Sequence, residues 1–438
     1  MQLKSFKAKN IKGKLSLATC SLLQVTASVT QAADSEWDID TAFLYYVEGD
    51  DRVSAFEPAI YAGRNFGDDG ERIDLRLVVD VLTGATPNGA HSSSVVQTFT
   101  TPSGNSSYTV QPGEIPLDDS FKDTRVAAGA DWTLPINRLS RVKLGLNAST
   151  EFDYLSLGVS GSYIRDLNNK NTTLTASLAF NNDTYTPEGG IPIALSPMRR
   201  ANTGTNREGS SDTKTVTDFL VGLTQVINRH TLIEANYSYG VSDGYLSDPF
   251  KIVTVVDPVT GLPDNTALAA IDGDNLPYIY ENRPDSRQRN NLFFRVAHHL
   301  TQDVIHLSYR YFWDDWGITS NTLDFKYRYE MGRSYLQPHV RYYMQDAADF
   351  YRHNLVQGVD VDSSGNVLLA EVSSDSRLAK FTSNTLGLKY GYVLGKDSEL
   401  SIRGEFLKQT FDDGNVSSIE ETPDLDAVIL NIGYSARW

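Results

Sequence analysis

The sequence predicts an all-β fold, a single antiparallel transmembrane β-barrel of about sixteen strands with short periplasmic turns and long outer loops. Three observations carry this: side-chain alternation with period two past residue 35, segregation of long and short connections, and tryptophans placed at strand ends. Of the 438 residues, 40% are hydrophobic and 11% aromatic, too much buriable surface for a disordered chain. A net charge of −16 without a Lys/Arg cluster in the exported part excludes nucleic acid as a partner. No apolar run is long enough for a membrane helix. A barrel escapes that test, because its lipid-facing and lumen-facing residues alternate.

The chain opens with Lys4, Lys7, Lys9, Lys12 and Lys14, continues through the apolar stretch Leu15 to Val25 and ends in small residues before Asp34. That order of zones reads as a signal peptide over 1–32, cleaved after Ala32, with the barrel over 33–438. Removal of its five lysines takes the net charge from −16 to −21. Cys20, the single cysteine, leaves with it, so the exported chain has no disulfide, thiolate metal site or cysteine nucleophile. A lipid anchor on Cys20 is disfavoured by Thr19 just before it and by the ordinary cleavage site downstream.

Alternation is cleanest over 141–154, where Val142, Leu144, Leu146, Ala148, Thr150, Phe152 and Tyr154 oppose Arg141, Lys143, Asn147, Glu151 and Asp153. It recurs over 72–82, with Ile73, Leu75, Leu77, Val79 and Val81 against Arg72, Asp74, Arg76 and Asp80, and again over 321–330. Read throughout, the pattern predicts strands at 36–47, 53–66, 71–83, 121–133, 140–153, 154–165, 171–182, 214–226, 230–242, 288–300, 303–314, 319–330, 334–346, 377–394, 398–409 and 427–438. With both termini periplasmic, the turns at 67–70, 135–139, 166–171, 227–229, 331–333 and 395–397 are short. The long segments 84–120, 183–213, 243–287, 347–376 and 410–426 then all lie outside. Trp37, Trp132 and Trp438 fall at periplasmic strand ends, and Trp313 and Trp316 at the outer end, where aromatic girdles form.

The last strand sets Leu430, Ile432, Tyr434, Ala436 and Trp438 on one face with Asn431 and Gly433 between. Gly433, Tyr434 and Trp438 thus resemble the C-terminal signal read by the barrel assembly machinery, which with outer-membrane lipid completes the expected partners.

Several phrases are similar to those of domain-of-unknown-function family 3570: Asp80-Val-Leu-Thr-Gly-Ala-Thr-Pro-Asn-Gly-Ala90, Gly244-Tyr-Leu-Ser-Asp-Pro-Phe-Lys251, Tyr280-Glu-Asn-Arg-Pro-Asp-Ser-Arg287 and Tyr309-Arg-Tyr-Phe-Trp-Asp-Asp-Trp316. The resemblance implies a Gram-negative outer-membrane barrel of unestablished activity, often encoded near a FAD:protein FMN transferase. It implies no catalytic residues.

Three groups of residues carry possible chemistry. Asp80, Thr83, Gly84, Ala85 and Thr86 match the acceptor pattern of FMN transferases, which would leave covalent FMN on Thr86 and make periplasmic redox proteins partners. The same residues, followed by Pro87-Asn88-Gly89, also read as a plain turn. The topology places Thr86 outside, whereas the transferase is periplasmic; modification before insertion, a loop folded into the lumen or reversed parity would reconcile the two. Asp360, Asp362, Ser364, Asn366 and Glu371, with Gly365 at the sixth position, reproduce the ligand spacing of a calcium loop, although Ser-Ser-Gly-Asn is also a common hairpin tip. His298, His299, Asp303 and His306 surround one periplasmic turn, and counting by twos points His299 and His306 into the lumen. No Ser-His-Asp grouping is legible, so no enzyme is expected.

The lumen face mixes Arg76, Asp123, Arg125, Asp131, Arg141, Lys143, Glu151, Glu234, Arg295, Arg310, Lys326, Arg328, Arg341, Arg403 and Glu405, which read first as wall ion pairs. The function these features favour is a porin-like channel or transport component of uncharacterised specificity. The alternative is an outer-membrane redox component carrying FMN at Thr86.

Overall fold

The computed structural model describes residues 37–49, 52–66, 70–84, 87–93, 96–100, 107–117, 122–198, 206–268, 276–395, 397–412 and 422–437. Sixteen antiparallel strands close into a barrel. The first eight are β1 (Trp37–Glu48), β2 (Ser54–Phe66), β3 (Glu71–Thr83), β4 (Lys122–Asn137), β5 (Ser140–Thr150), β6 (Tyr154–Leu167), β7 (Thr172–Tyr185) and β8 (Asp212–Asn228). The second eight are β9 (Thr231–Gly244), β10 (Ser286–His299), β11 (Val304–Asp314), β12 (Thr319–Met331), β13 (Ser334–Gln345), β14 (Phe381–Val393), β15 (Ser398–Phe411) and β16 (Leu425–Arg437). Each strand pairs with its sequence neighbours, and β1 closes on β16 in a register running from Asp38↔Arg437 to Glu48↔Ala427. The signal-peptide region lies outside the described residues.

Every strand expected from alternation is present, within a few residues of its expected ends. Leu144, Leu146, Leu157, Leu386 and Phe406 stand exposed on the outside, Leu146 by 65%. An apolar belt of this kind is stable only against lipid, which identifies the outer face of a membrane barrel. Trp132, Tyr163, Tyr329, Tyr392 and Tyr434 punctuate it toward the turn end, and Arg64 lies 5.3 Å over the Trp37 ring there. Trp313 stacks on Tyr311 at 5.3 Å toward the loop end. Trp438 lies outside the described residues.

Two details depart from the sequence reading. Tyr154 lines the lumen instead of sharing a face with Leu144 and Leu146, because β5 stops at Thr150 and the turn 151–153 resets the alternation. Trp316 is no girdle residue. It is 4% exposed beneath folded loops, where its indole N–H donates to the Ser286 carbonyl at 2.9 Å and its ring meets Phe350 edge-on at 5.1 Å. Prolines leave local marks: the β12–β13 ladder skips from Lys326↔His339 to Tyr329↔Leu336 around Pro338, and the β2–β3 ladder skips from Phe56↔Val81 to Ala59↔Val78 around Pro58. Each lacks the N–H a ladder needs and tolerates a single break.

The connections at one end are short, none exceeding the four residues of 300–303 and similar turns, whereas 84–121, 186–211, 245–285 and 346–380 all emerge at the other. Burying a guanidinium in lipid is costly, so Leu386→Arg should destabilise the barrel by about 2–4 kcal/mol, read as a lowered urea midpoint in vesicles. Ser160→Arg on the lumen face should leave that midpoint nearly unchanged.

Candidate functional site: a lumen roofed by folded loops

Among the described residues, the long loops carry strands and apolar cores of their own. Ile252–Val256 forms a strand buried on both faces, antiparallel to Tyr278–Tyr280 and parallel to Leu355–Val356. Its unbroken Ile-Val-Thr-Val-Val run suits a strand with no wet face. Hairpins Gln97–Thr100 with Ser107–Val110 and Ile191–Pro192 with Arg207–Gly209 pack nearby. Phe99, Val110, Met198, Ile252 and Tyr278 make one apolar core, Val253, Val255, Ile279, Leu355, Val361 and Val372 a second, and Trp316, Ile318, Phe350 and Leu378 a third. Gly89 is needed where the 87–90 segment crosses this sheet: its φ is +99°, and a Cβ would sit 2.0 Å from the Ile252 carbonyl oxygen.

Two of the loops meet at a cluster of six charges, five of them largely buried and Arg377 half-exposed. Arg283 Nε lies 2.7 Å from Glu281 Oε1, and its terminal nitrogen donates to Asp375 Oδ2 at 2.8 Å. Arg377 spans Asp375 at 2.5 Å and Asp248 at 3.2 Å, while Lys251 Nζ stands 4.0 Å from Asp375 and donates to the Pro87 carbonyl. Burial pushes the Glu281 carboxyl up and the Lys251 ammonium down. Burial alone would raise Asp375 as well, but Arg377, Lys251 and Arg283 hold it well below the usual carboxylate range. The cluster therefore ties segments near 248–251, 281–283 and 375–377 into one latch.

Beneath it lies a cavity of about 2940 Å³. Leu246, Ser247, Asp248, Arg283, Asp375, Arg377 and Leu378 line its loop end, and Asn65, Gly70, Arg138, Asn171, Asp397 and Arg437 its turn end. The wall reading of the lumen charges is upheld at most positions: Arg125 pairs with Asp80, Arg141 with Asp166 at 2.8 Å, Lys143 with Asp131 at 3.1 Å, Arg295 with Glu234 at 2.7 Å and Lys326 with Asp324 at 3.3 Å. His339, not singled out from sequence, bridges Asp324 and Glu405 at 2.7 Å on each side.

The candidate site residues are dispersed. Asp80 is buried in the lumen wall on Arg125, and Thr83 shares a 2.6 Å hydroxyl hydrogen bond with Ser54. Gly84 turns the chain with φ +117°, where a Cβ would meet the Arg52 carbonyl at 2.1 Å. Ala85 and Thr86 lie outside the described residues.

Around 360–371 Asp362 holds a hairpin tip. Asp360 accepts from Val356 N at 2.8 Å, Asp362 accepts from the Ser364 and Asn366 amides at 2.8 and 2.9 Å, and Glu371 is exposed. His299 and His306 do face the lumen, but His298 bonds Thr231 at 2.9 Å, His299 stacks on His230 at 6.0 Å, and Asp303 accepts from Tyr327 at 2.5 Å. Among the described residues no group of three or more His, Cys, Asp or Glu is placed to hold a metal ion. Gly433 and Tyr434 lie in β16 against β1, with Tyr434 exposed on the outer belt.

A family model described as "Protein of unknown function (DUF3570)" matches residues 12–436. No curated protein matches the chain. Similar solved structures include one titled "Bacterial polysaccharide outer membrane secretin", with 10% identity, 92% of this chain and 98% of that chain covered, and a TM-score of 0.41. Another is OccK3 (OpdO) of Pseudomonas aeruginosa, with 11% identity, 92% and 96% covered, and a TM-score of 0.38. A third is the P. putida toluene transporter TodX, with 10% identity, 93% and 91% covered, and a TM-score of 0.36. At such identities the likeness is one of barrel architecture alone.

Asp375→Asn should leave Arg283 without its shared carboxylate and cost the cap about 3–5 kcal/mol. Limited proteolysis within 245–285 and 346–380 should accelerate while the barrel still migrates as a heat-modifiable species. Because the Asp375 pKa is depressed, its stabilisation is complete above about pH 4 and is lost as pH falls from there through the folded value. Glu281 titrates in the opposite sense, protonation relieving its burial. Trp316 fluorescence should accordingly stay constant from neutral to mildly acidic pH and change only in strong acid.

Proposed function

We propose, for a chain that belongs to the family described as protein of unknown function DUF3570, a porin-like role as an outer-membrane solute passage whose loop end faces outward. One observation carries the reading: a cavity of about 2940 Å³ runs inside the closed barrel from the turn end to the loop roof, lined by polar and charged groups. A barrel of sixteen strands is wide enough for water and small solutes unless something fills it. Here the roof narrows one end, so the passage is restricted there and wide below. The paired wall charges keep the lumen wet without a uniform field of one sign.

Planar-bilayer recording tests this. The native protein should conduct weakly, and replacing 346–380 by a short link between Gln345 and Phe381, which removes the latch residues Asp375 and Arg377, should raise conductance several-fold. A trimmed barrel that assembles, as judged by heat-modifiable migration, yet stays closed would refute the passage.

Covalent FMN at Thr86 is a separate proposal, resting on the acceptor-like motif alone. After coexpression with an FMN transferase, the peptide bearing Thr86 should gain the mass of FMN and lose it in Thr86→Ala. An unmodified peptide removes the redox reading.

A further inference from the structure

Cations on the lumen wall are matched to carboxylates almost throughout, and Arg341 of β13 breaks the rule. Its cross-strand partner on β12 is Asp324, whose carboxylate already serves His339 at 2.7 Å and Lys326 at 3.3 Å. Its partner on β14 is the neutral Thr385. Among the described residues no carboxylate is in ion-pair range of Arg341, and its side chain is exposed to the cavity it lines.

A second guanidinium stands close by. Thr322 of β12 is the register partner of both Arg310 on β11 and Tyr343 on β13, and Arg341 lies two residues from Tyr343 toward the turn end on the same face. With strands about 4.8 Å apart and same-face neighbours about 6.8 Å apart, the Arg310 and Arg341 stems arise about 12 Å from each other. The Arg310 guanidinium carbon lies 5.7 Å from the ring centre of Phe293 on β10, the side of β11 away from β12, and Arg377 of the roof, 48% exposed, faces the same cavity.

Building on the passage reading, we propose that Arg341 is a binding site for a small solute bearing an oxyanion group, a carboxylate or a phosphate. The chemistry favours this class. A guanidinium offers a planar fork of donors matched to two oxygens, and its charge does not titrate away. The site lies below the roof and above the Lys326 and His339 level, on the wall of β11–β13. In a chain of net charge −16, an arginine without a carboxylate is where an anion gains a contact that the wall does not already satisfy.

Isothermal titration of the full-length mature protein in detergent with succinate, and separately with inorganic phosphate, tests the site. At least one probe should bind saturably, with affinity falling tenfold or more in Arg341→Gln and recovering only in part in Arg341→Lys, which keeps the charge but not the fork. Lys408→Gln, on the outer face of β15, should change nothing. The probe that binds decides between carboxylate and phosphate. Binding of neither, or binding that Arg341→Gln leaves intact in a heat-modifiable barrel, overturns the inference. In bilayers the binding probe should interrupt current through the native protein and not through Arg341→Gln. Arg341-dependent binding to a barrel that never conducts would keep the site and reject the passage.

Discussion

Ring closure is the constraint on which everything else rests. In hydrocarbon no water is available for an unpaired amide, so a strand wall is admissible only if its first and last strands meet. Here β1 and β16 do so over the full span from Asp38 to Glu48. That seam makes each lipid-facing leucine favourable and each lumen-facing arginine tolerable, because the two sides of one wall face different solvents. It also explains how the ladder survives Pro58 and Pro338: the neighbouring pairs on both flanks stay bonded, so each break is confined to a single step.

Two kinds of folding meet in this molecule. The wall is organised by alternation and needs no core, whereas the cap buries apolar side chains against one another as a water-soluble domain does, with Val253, Val255, Ile279 and Leu355 wholly inaccessible. Such a cap has to be joined to a wall whose inner face is polar. At that junction Gln345, at the end of β13, donates its side-chain amide to the Arg377 and Ala379 carbonyls, while the six charges around Asp375 join two loops to each other above the lumen. A largely buried cluster of this kind contributes little net stability compared with an apolar replacement, but it fixes where the loops sit.

The lumen charges follow the same economy of matching. Neighbouring strands place opposite signs within ion-pair distance, so the interior stays hydrated without strong repulsion. His339 extends this by serving two carboxylates at once, and in doing so it takes Asp324 away from Arg341. One shared partner thus leaves one cation open to the cavity, a consequence invisible to pairwise inspection of either strand.

The sequence by itself determined the barrel: alternation at Leu144 and Arg141, at Leu75 and Asp74, and across the other strands is a local property, set by which solvent each face meets. It also determined that all the long loops share one end, since parity follows from strand count. Only the tertiary structure decided what those loops do. The run Ile252–Val256 carries a strand signal, five consecutive β-branched residues, yet its partners at 278–280 and 355–356 are far away in the chain, and burial there depends on contacts that no local period records. For the same reason Trp316 read as an interface anchor and is a cap residue. The lumen arginines were legible as a face, but which of them would stand unmatched was settled by register across three strands, because a hydrogen-bonded ladder, and not sequence spacing, brings each charge to its partner.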